Sequence, residues 1–153
     1  MKNFFKGILL VLTVLLITNS CSKDDEGPYS GIENEIANLV NQHRASIGKS
    51  NLQFNSVIYR EAKGHSNNMA VGTVPYSHDG STDRFNKIST EFGGTVFGEN
   101  IATGYKTAKA AYDAWMASTQ HKSNIEGDFN YAAIAVSVSS NGTNFFTHIF
   151  VKK

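Results

Sequence analysis

The sequence predicts an α+β fold, a small antiparallel sheet flanked by helices, on three observations. Apolar residues recur at helical spacing through the first two thirds of the chain beyond residue 30, the period shortens to two near the C-terminus, and an Asn-Gly pair separates the two alternating runs. Helices first and strands last place helices on the faces of a sheet, rather than winding strands and helices alternately.

Ser30-Gly31-Ile32-Glu33 has the form of a capping box, in which the serine oxygen accepts a backbone N–H and the glutamate reaches back. Ile32, Ile36, Leu39, Val40, His43 and Ile47 follow at helical spacing and Gly48 stops them, so a first helix is expected near 31–46. A second begins at Asn55 or Ser56, carries Ile58, Ala62, His65 and Met69 on one stripe, and ends near Val71-Gly72. Ser81 or Thr82 caps a short third helix with Phe85 and Ile88, and Thr107 caps a fourth with Ala108, Ala111, Tyr112 and Trp115. Thr95 to Ile101, after the flexible Gly93-Gly94, reads as a strand. Ile134, Val136 and Val138, then Asn141-Gly142, then Phe146, His148 and Phe150 read as a hairpin with a type I′ turn, in which both central residues need positive φ.

Lys2 and Lys6 precede an apolar run from Ile8 to Ile17 that closes on Thr18-Asn19-Ser20-Cys21, the pattern of an export signal over residues 1–20. The run is short for a membrane span. Cys21 is the only cysteine, and its setting resembles the lipobox of bacterial lipoproteins, which implies a lipidated Cys21 at the start of the mature chain. Residues 21–30 then form an acidic, polar tether, and 31–153 a single domain that holds together without disulfides. The Asp24-Asp25-Glu26 run resembles the signal that sends some lipoproteins to the outer face of the outer membrane, although a solvated linker explains it as well. The expected location is therefore an exported lipoprotein anchored to the membrane, in the outer membrane and displayed at the surface. Removing residues 1–20 takes away two lysines and no acids, so the formal charge moves from +1 to −1. That balance argues against nucleic acid as a partner.

Two polar strings stand out. His78, in Ser77-His78-Asp79-Gly80, falls in a loop between two helices, where function is commonly displayed. Glu99, in Gly98-Glu99-Asn100-Ile101-Ala102, lies in an apolar strand where a carboxylate is costly to bury unless it finds a partner. A histidine is one such partner, directly or through a metal or water. Two readings stay open on the residues alone: a cation or acid/base site, or a Glu99 that accepts backbone N–H groups and ties down a loop. His65 and His43, on apolar stripes, read as hydrogen-bonded core histidines. His121 follows the Trp115 helix and either caps its carbonyls or points into the same cleft as His78. His148 sits in a strand, on the face opposite Phe145 and Thr147. No nucleophile elbow, His-Glu-x-x-His helix or phosphate-binding glycine loop is present.

The strings taken in order resemble the CAP superfamily, also called the SCP domain, in its bacterial branch. They are Asn41-Gln42-His43-Arg44, His65-Ser66-Asn67-Asn68-Met69-Ala70, Ser77-His78-Asp79-Gly80, Arg84-Phe85, Gly98-Glu99-Asn100-Ile101-Ala102, Trp115-Met116-Ala117-Ser118, His121-Lys122-Ser123-Asn124-Ile125 and Phe145-Phe146-Thr147-His148-Ile149-Phe150. The resemblance implies an α-β-α sandwich whose central cleft sets two histidines and two glutamates around a divalent cation or water. His78 matches the first histidine and Glu99 the first glutamate. Ser118 and Phe145 stand where the other two would be, and His121 is the candidate third polar group. The set implies a weakly bound divalent cation, zinc, calcium or magnesium, held by His78 and Glu99, rather than a tight zinc centre.

The function expected from all this is a non-enzymatic envelope lipoprotein whose His78, Glu99 and His121 cleft binds a small ligand, an envelope component or a cation. The rival is an envelope hydrolase acting on peptides or cell-wall polymer, with Glu99 as general base assisted by His78.

Overall fold

A computed structural model describes Tyr29 and residues 31–153. The export signal 1–20, Cys21 and the tether apart from Tyr29 lie outside the described residues. The elements run α1 (Gly31–Ser46), β1 (Gln53–Phe54), α2 (Ser56–Val71), α3 (Ser81–Phe92), β2 (Val96–Thr103), α4 (Ala108–Ala117), α5 (Thr119–Ile125), β3 (Tyr131–Val138) and β4 (Asn144–Lys152).

The sheet has the order β1-β3-β4-β2, and both faces are covered. Ile134, Phe146 and Phe150 turn to one side, where Ile36 and Val40 of α1, Trp115 of α4 and Ile125 of α5 bury them. Ala133, Ala135, Ile149 and Val151 turn to the other, against Ile58 and Ala62 of α2 and Ile88 of α3. Period two therefore deals β3 and β4 alternately to two cores, and the result is the α-β-α sandwich.

Four local features depart from the sequence reading. The sheet is mixed: β1 pairs with β3 in parallel, Gln53 opposite Tyr131, and two residues are too few to show any period. The loop between β3 and β4 is not a type I′ turn. Gly142 has φ of 79° and, among the described residues, no non-glycine residue has positive φ, while Gly142 N–H bonds Ser139 O at 2.9 Å and Ser139 N–H bonds Thr143 O at 2.9 Å. That is the three-residue turn closed by a left-handed glycine. Helix α3 is capped by neither Ser81 nor Thr82: Gly80, at φ of 74°, holds the cap position without a side-chain bond. Residues 119–125 form a separate helix, because Ser118 leaves helical geometry and its Oγ accepts the His121 N–H at 3.4 Å.

Side chains close both edges of the sheet. Beyond the two residues of β1, the outer edge of β3 is met by Tyr29, whose hydroxyl accepts the Ile134 N–H at 3.2 Å, and by Glu33, whose carboxylate accepts the Val136 N–H at 2.8 Å. Lys63 donates to the Val136 carbonyl. Glu33 is thus buried on the sheet and takes a bond from the Tyr59 hydroxyl as well; Ser30, the other half of the expected capping box, lies outside the described residues. On β2 the outward carbonyl of Ile101 accepts from Trp115 Nε1 at 3.0 Å and Tyr76 at 3.3 Å, and that of Glu99 from Asn124 at 3.3 Å. An edge occupied in this way offers little to another strand.

Two buried side-chain atoms, Thr147 Oγ1 and His148 Nδ1, go unmatched among the described residues, and the histidine is the one that titrates. His148 is 2% exposed, lies 4.2 Å from the Phe150 ring, and its Nδ1 has no hydrogen-bond partner among the described residues. Burial pushes its pKa down to about 3. The unfolded chain binds this proton near pH 6.5 and the folded chain does not, so the folded state loses stability as pH falls between those values and is unaffected above them. Urea unfolding should show a loss of about 1.4 kcal/mol per pH unit below pH 6 from this group. His148→Leu should flatten that slope and leave the pH 7.5 midpoint equal or higher; an unchanged acid slope would reassign the sensitivity to another group.

Candidate functional site

The Gly98-Glu99-Asn100 string works as one device because period two sends its side chains to opposite faces. Gly98 and Asn100 face α5. A Cβ on Gly98 would sit 2.9 Å from Asn124 Oδ1 and 3.0 Å from Phe129 Cζ, so α5 can approach only a glycine there. Asn100 then fastens that helix, accepting from Asn124 Nδ2 at 2.8 Å and donating to the His121 carbonyl at 2.9 Å. Glu99 points the other way, opposite Ile149, toward α2 and α3.

There it meets His78. Nδ1 of His78 lies 2.8 Å from Glu99 Oε1, with the His78 side chain 46% exposed and that of Glu99 3% exposed. A carboxylate this deep needs a full counter-charge, and Arg84 of α3 provides it. Arg84 Nε donates to Oε2 at 2.8 Å and Nη2 to Oε1 at 2.7 Å, a two-pronged fit. Oε1 thus takes two donors and Oε2 one. Since the carboxylate is the acceptor, His78 donates from Nδ1, and in the neutral ring Nε2 carries the lone pair.

Arg84 extends the network behind Glu99. Its Nη1 donates to the Asp79 carbonyl at 2.8 Å and lies 3.2 Å from Nδ1 of His65, while Nη2 reaches the His78 carbonyl at 3.5 Å. His65, 4% exposed, bonds the Ser77 carbonyl through Nε2 at 2.9 Å. Burial first, then the charge of Arg84, hold its pKa below the usual imidazole range. A cavity of about 270 Å³ between α2 and α3 reaches the network from this side, lined by His65, Asp79, Asp83, Arg84 and Lys87 among others.

The other expected residues fall as follows. His121 is half-buried in α5, with its pKa pushed down by burial and by the nearby His78; its ring bonds neither His78 nor Glu99, and its backbone carbonyl holds Asn100. His43 pairs with Glu126 at 2.8 Å. His148 opposes Asn100, on the face away from Glu99. Ser118 caps α5, and Phe145 sits in β4 between Thr103 and Ser137. The sequence reading left Arg84 and His65 out of the site. The signal for Arg84 was its place four residues before Ile88, on the buried stripe of α3, where a cation is expected only beside a buried anion.

This geometry divides the chemistry. Glu99 is a poor base and a poor metal ligand, because protons and guanidinium already hold its oxygens and an incoming cation would face Arg84. Among the described residues no group of three or more His, Cys, Asp and Glu side chains is placed to hold a metal ion. Of the expected cations, calcium and magnesium want oxygen ligands and do not suit His78 and His121, whereas zinc takes imidazole nitrogen.

The family model for CAP, described as the cysteine-rich secretory protein family, matches residues 37–151. An uncharacterized protein of Bacillus subtilis (strain 168), YkwD, is 30% identical over 129 residues, which cover 81% of this chain and 48% of that protein. The chain thus spans about half the length of that relative. An extracellular protein containing an SCP domain from Bacillus anthracis str. Ames superposes with a TM-score of 0.67 at 26% identity, over 80% of this chain and 40% of its own. An outer surface protein of Borrelia burgdorferi gives a TM-score of 0.68 at 16% identity, over 78% and 91%, a likeness of fold.

Arg84→Met should cost about 3–5 kcal/mol in urea unfolding, because it leaves a buried carboxylate without its cation. Adding Glu99→Leu should restore most of that loss, and His78→Ala alone should cost less than about 1 kcal/mol, as befits a half-exposed pair. Near-wild-type stability in Arg84→Met would mean that another group neutralises Glu99.

Proposed function

The chain belongs to the cysteine-rich secretory protein (CAP) family, and we propose that it serves there as a non-enzymatic binding domain of the cell envelope. It is exported through residues 1–20, fixed to the membrane by a lipid on Cys21, and presents His78 Nε2 to a small ligand or envelope component. The extracellular relative from Bacillus anthracis and the Lys2–Cys21 pattern support export. No described helix is long and apolar enough to cross a membrane; this reading places the anchor in the Cys21 lipid, in the outer membrane with the domain at the surface.

One observation carries the site assignment: Arg84 grips both oxygens of Glu99. Glu99 is thereby a fixed acceptor that sets the tautomer and direction of His78, in the manner of a carboxylate behind a working histidine. The exposed Nε2 accepts a hydrogen bond from an N–H or O–H donor, or ligates a zinc-type cation together with the His121 ring. Two nitrogens fall short of the four ligands of a structural zinc site, so such an ion is weakly held and keeps solvent ligands.

The same Nδ1–H to carboxylate bond also favours a second reading, an envelope hydrolase, in which the general base is His78 Nε2 and Glu99 orients it. The role earlier assigned to Glu99 passes to His78 under that reading.

Calorimetric titration of the full chain in detergent at pH 7.5 separates the readings. Zinc should give heat that His78→Ala or His121→Ala abolishes, and calcium and magnesium should give none. Zinc heat that survives the His78→Ala, His121→Ala double substitution would remove the site from cation binding. Turnover of peptides or peptidoglycan fragments that disappears in His78→Ala would establish the hydrolase instead.

A further inference from the structure

The loop that carries His78 is held by two side chains, and one of them must be uncharged. A carbonyl can only accept, so His65 donates its Nε2–H to Ser77 O at 2.9 Å. Its Nδ1 is then the acceptor for Arg84 Nη1 at 3.2 Å. The other Nη1 proton goes to Asp79 O at 2.8 Å, and Nη2 spans Glu99 and, at 3.5 Å, His78 O. All five guanidinium protons are engaged, and three successive carbonyls, Ser77, His78 and Asp79, lead back to His65 and Arg84.

We propose that His65 is a positioning residue for this site, and that its protonation frees the His78 and Asp79 carbonyls from Arg84, loosening the loop beyond Ser77 and moving His78 away from Glu99. The consequence for ligand binding rests on the reading of His78 given above; the release of the loop does not.

The argument is one of acceptor and charge. A proton on Nδ1 removes the lone pair that Arg84 Nη1 uses and sets an imidazolium against a guanidinium at the same 3.2 Å separation. Arg84 cannot retreat toward solvent without abandoning the buried Glu99. The cheaper movement gives up the Asp79 and His78 carbonyls, which belong to an exposed loop.

The charged groups around His65 come from every side. Arg84 faces it from α3, Glu99 from β2 and His78 from the loop. Glu61 of α2, Asp79, and Asp83 and Lys87 of α3 line the cavity it borders. On the sheet, Ser137 and Thr147 bring no charge to this face. Burial and Arg84 outweigh the attraction of Glu99 and the bond to the Ser77 carbonyl, so the imidazole stays neutral at neutral pH and titrates below its ordinary range. The cavity of about 270 Å³ gives water, and hence protons, a path to it.

Amide hydrogen exchange on the full chain in detergent, corrected for intrinsic rates, tests this between pH 7.5 and 5. The protons to follow are Ser81 N–H, bonded to His78 O at 3.0 Å, and Arg84 N–H, bonded to Gly80 O at 3.0 Å. In the wild type their exchange should accelerate on acidification, by up to about tenfold per pH unit once His65 titrates, while amides of β3 and β4 keep their protection. His65→Gln supplies a non-titrating replacement, since its carboxamide can donate to Ser77 and accept from Arg84. It should match the wild type at pH 7.5 and show no acceleration at pH 5. Equal acceleration in His65→Gln, no acceleration in the wild type, or loss of β3 and β4 protection in step with the loop would each overturn the proposal. If His65→Gln fails to protect the loop at pH 7.5, the wild-type ring decides: its imidazole resonances must titrate at the same pH as the loop opens, and a mismatch refutes the coupling. No ligand enters these readouts, so they stand or fall apart from the zinc titration.

Discussion

The buried charge of Glu99 organises the candidate site of this protein. Glu99 sits in an edge strand with 3% of its side chain exposed, and an ionised carboxylate so placed is strongly unfavourable without a cation in hydrogen-bonding contact. Arg84 meets that demand with a planar fork that matches the carboxylate geometry, something a lysine would not reproduce. The pairing sets the position of α3 against β2. It also shapes the 77–80 loop, because the guanidinium protons that Glu99 does not use go to the loop carbonyls and to His65. The site and the packing of α3 are two results of one neutralisation.

The edges of the sheet follow a related logic. A strand of two residues leaves most of the outer side of β3 unpaired, and the far side of β2 has no neighbouring strand among the described residues. Backbone groups buried there need partners, and they are met one by one by Tyr29, Glu33, Lys63, Asn124, Trp115 and Tyr76. Several of these residues look like ordinary surface or core side chains in the sequence. Their common task is visible only once the strand order is known, since a side chain that caps a sheet edge is recruited from a helix or loop far away along the chain.

What was legible in the sequence divides along the same line. The limits of α1 and α2 and the start of α4 could be read because periodicity, Asn55, Thr107 and Gly48 act within a few residues of each other. That helices flank a sheet was legible from the change of period before Asn141-Gly142, and the α-β-α sandwich was implied by the family resemblance. The kind of turn was not, since Asn-Gly serves both a two-residue loop and a three-residue loop closed by Gly142, and the register of β3 on β4 chooses between them. The parallel pairing of β1 was too short to leave a pattern. That a carboxylate in an apolar strand needs a partner was plain from Val96, Phe97 and Ile101 around Glu99. His78 was proposed as that partner, and the two side chains do meet, but charge balance is achieved by Arg84, fifteen residues before Glu99 and on a helix. Spacing shows which face a residue takes and leaves open which face of another element it will find.

Two buried histidines show what separates a structural imidazole from a coupled one. His148 and His65 are equally hidden, at 2% and 4% exposure, and burial keeps both neutral. His148 is wedged between Trp115 and Phe150 with an idle Nδ1; the proton it refuses has no bond to break and no neighbouring charge to repel, so its titration affects the stability of the whole domain. Both nitrogens of His65 are committed, one to the loop and one to the guanidinium that also holds Glu99. A proton there has a local consequence before it has a global one, because it competes for a particular bond. Burial alone therefore does not distinguish a group that can act on the site. What distinguishes it is the number of site-bearing groups that depend on its lone pair, which is none for His148 and, through Arg84, nearly all of them for His65.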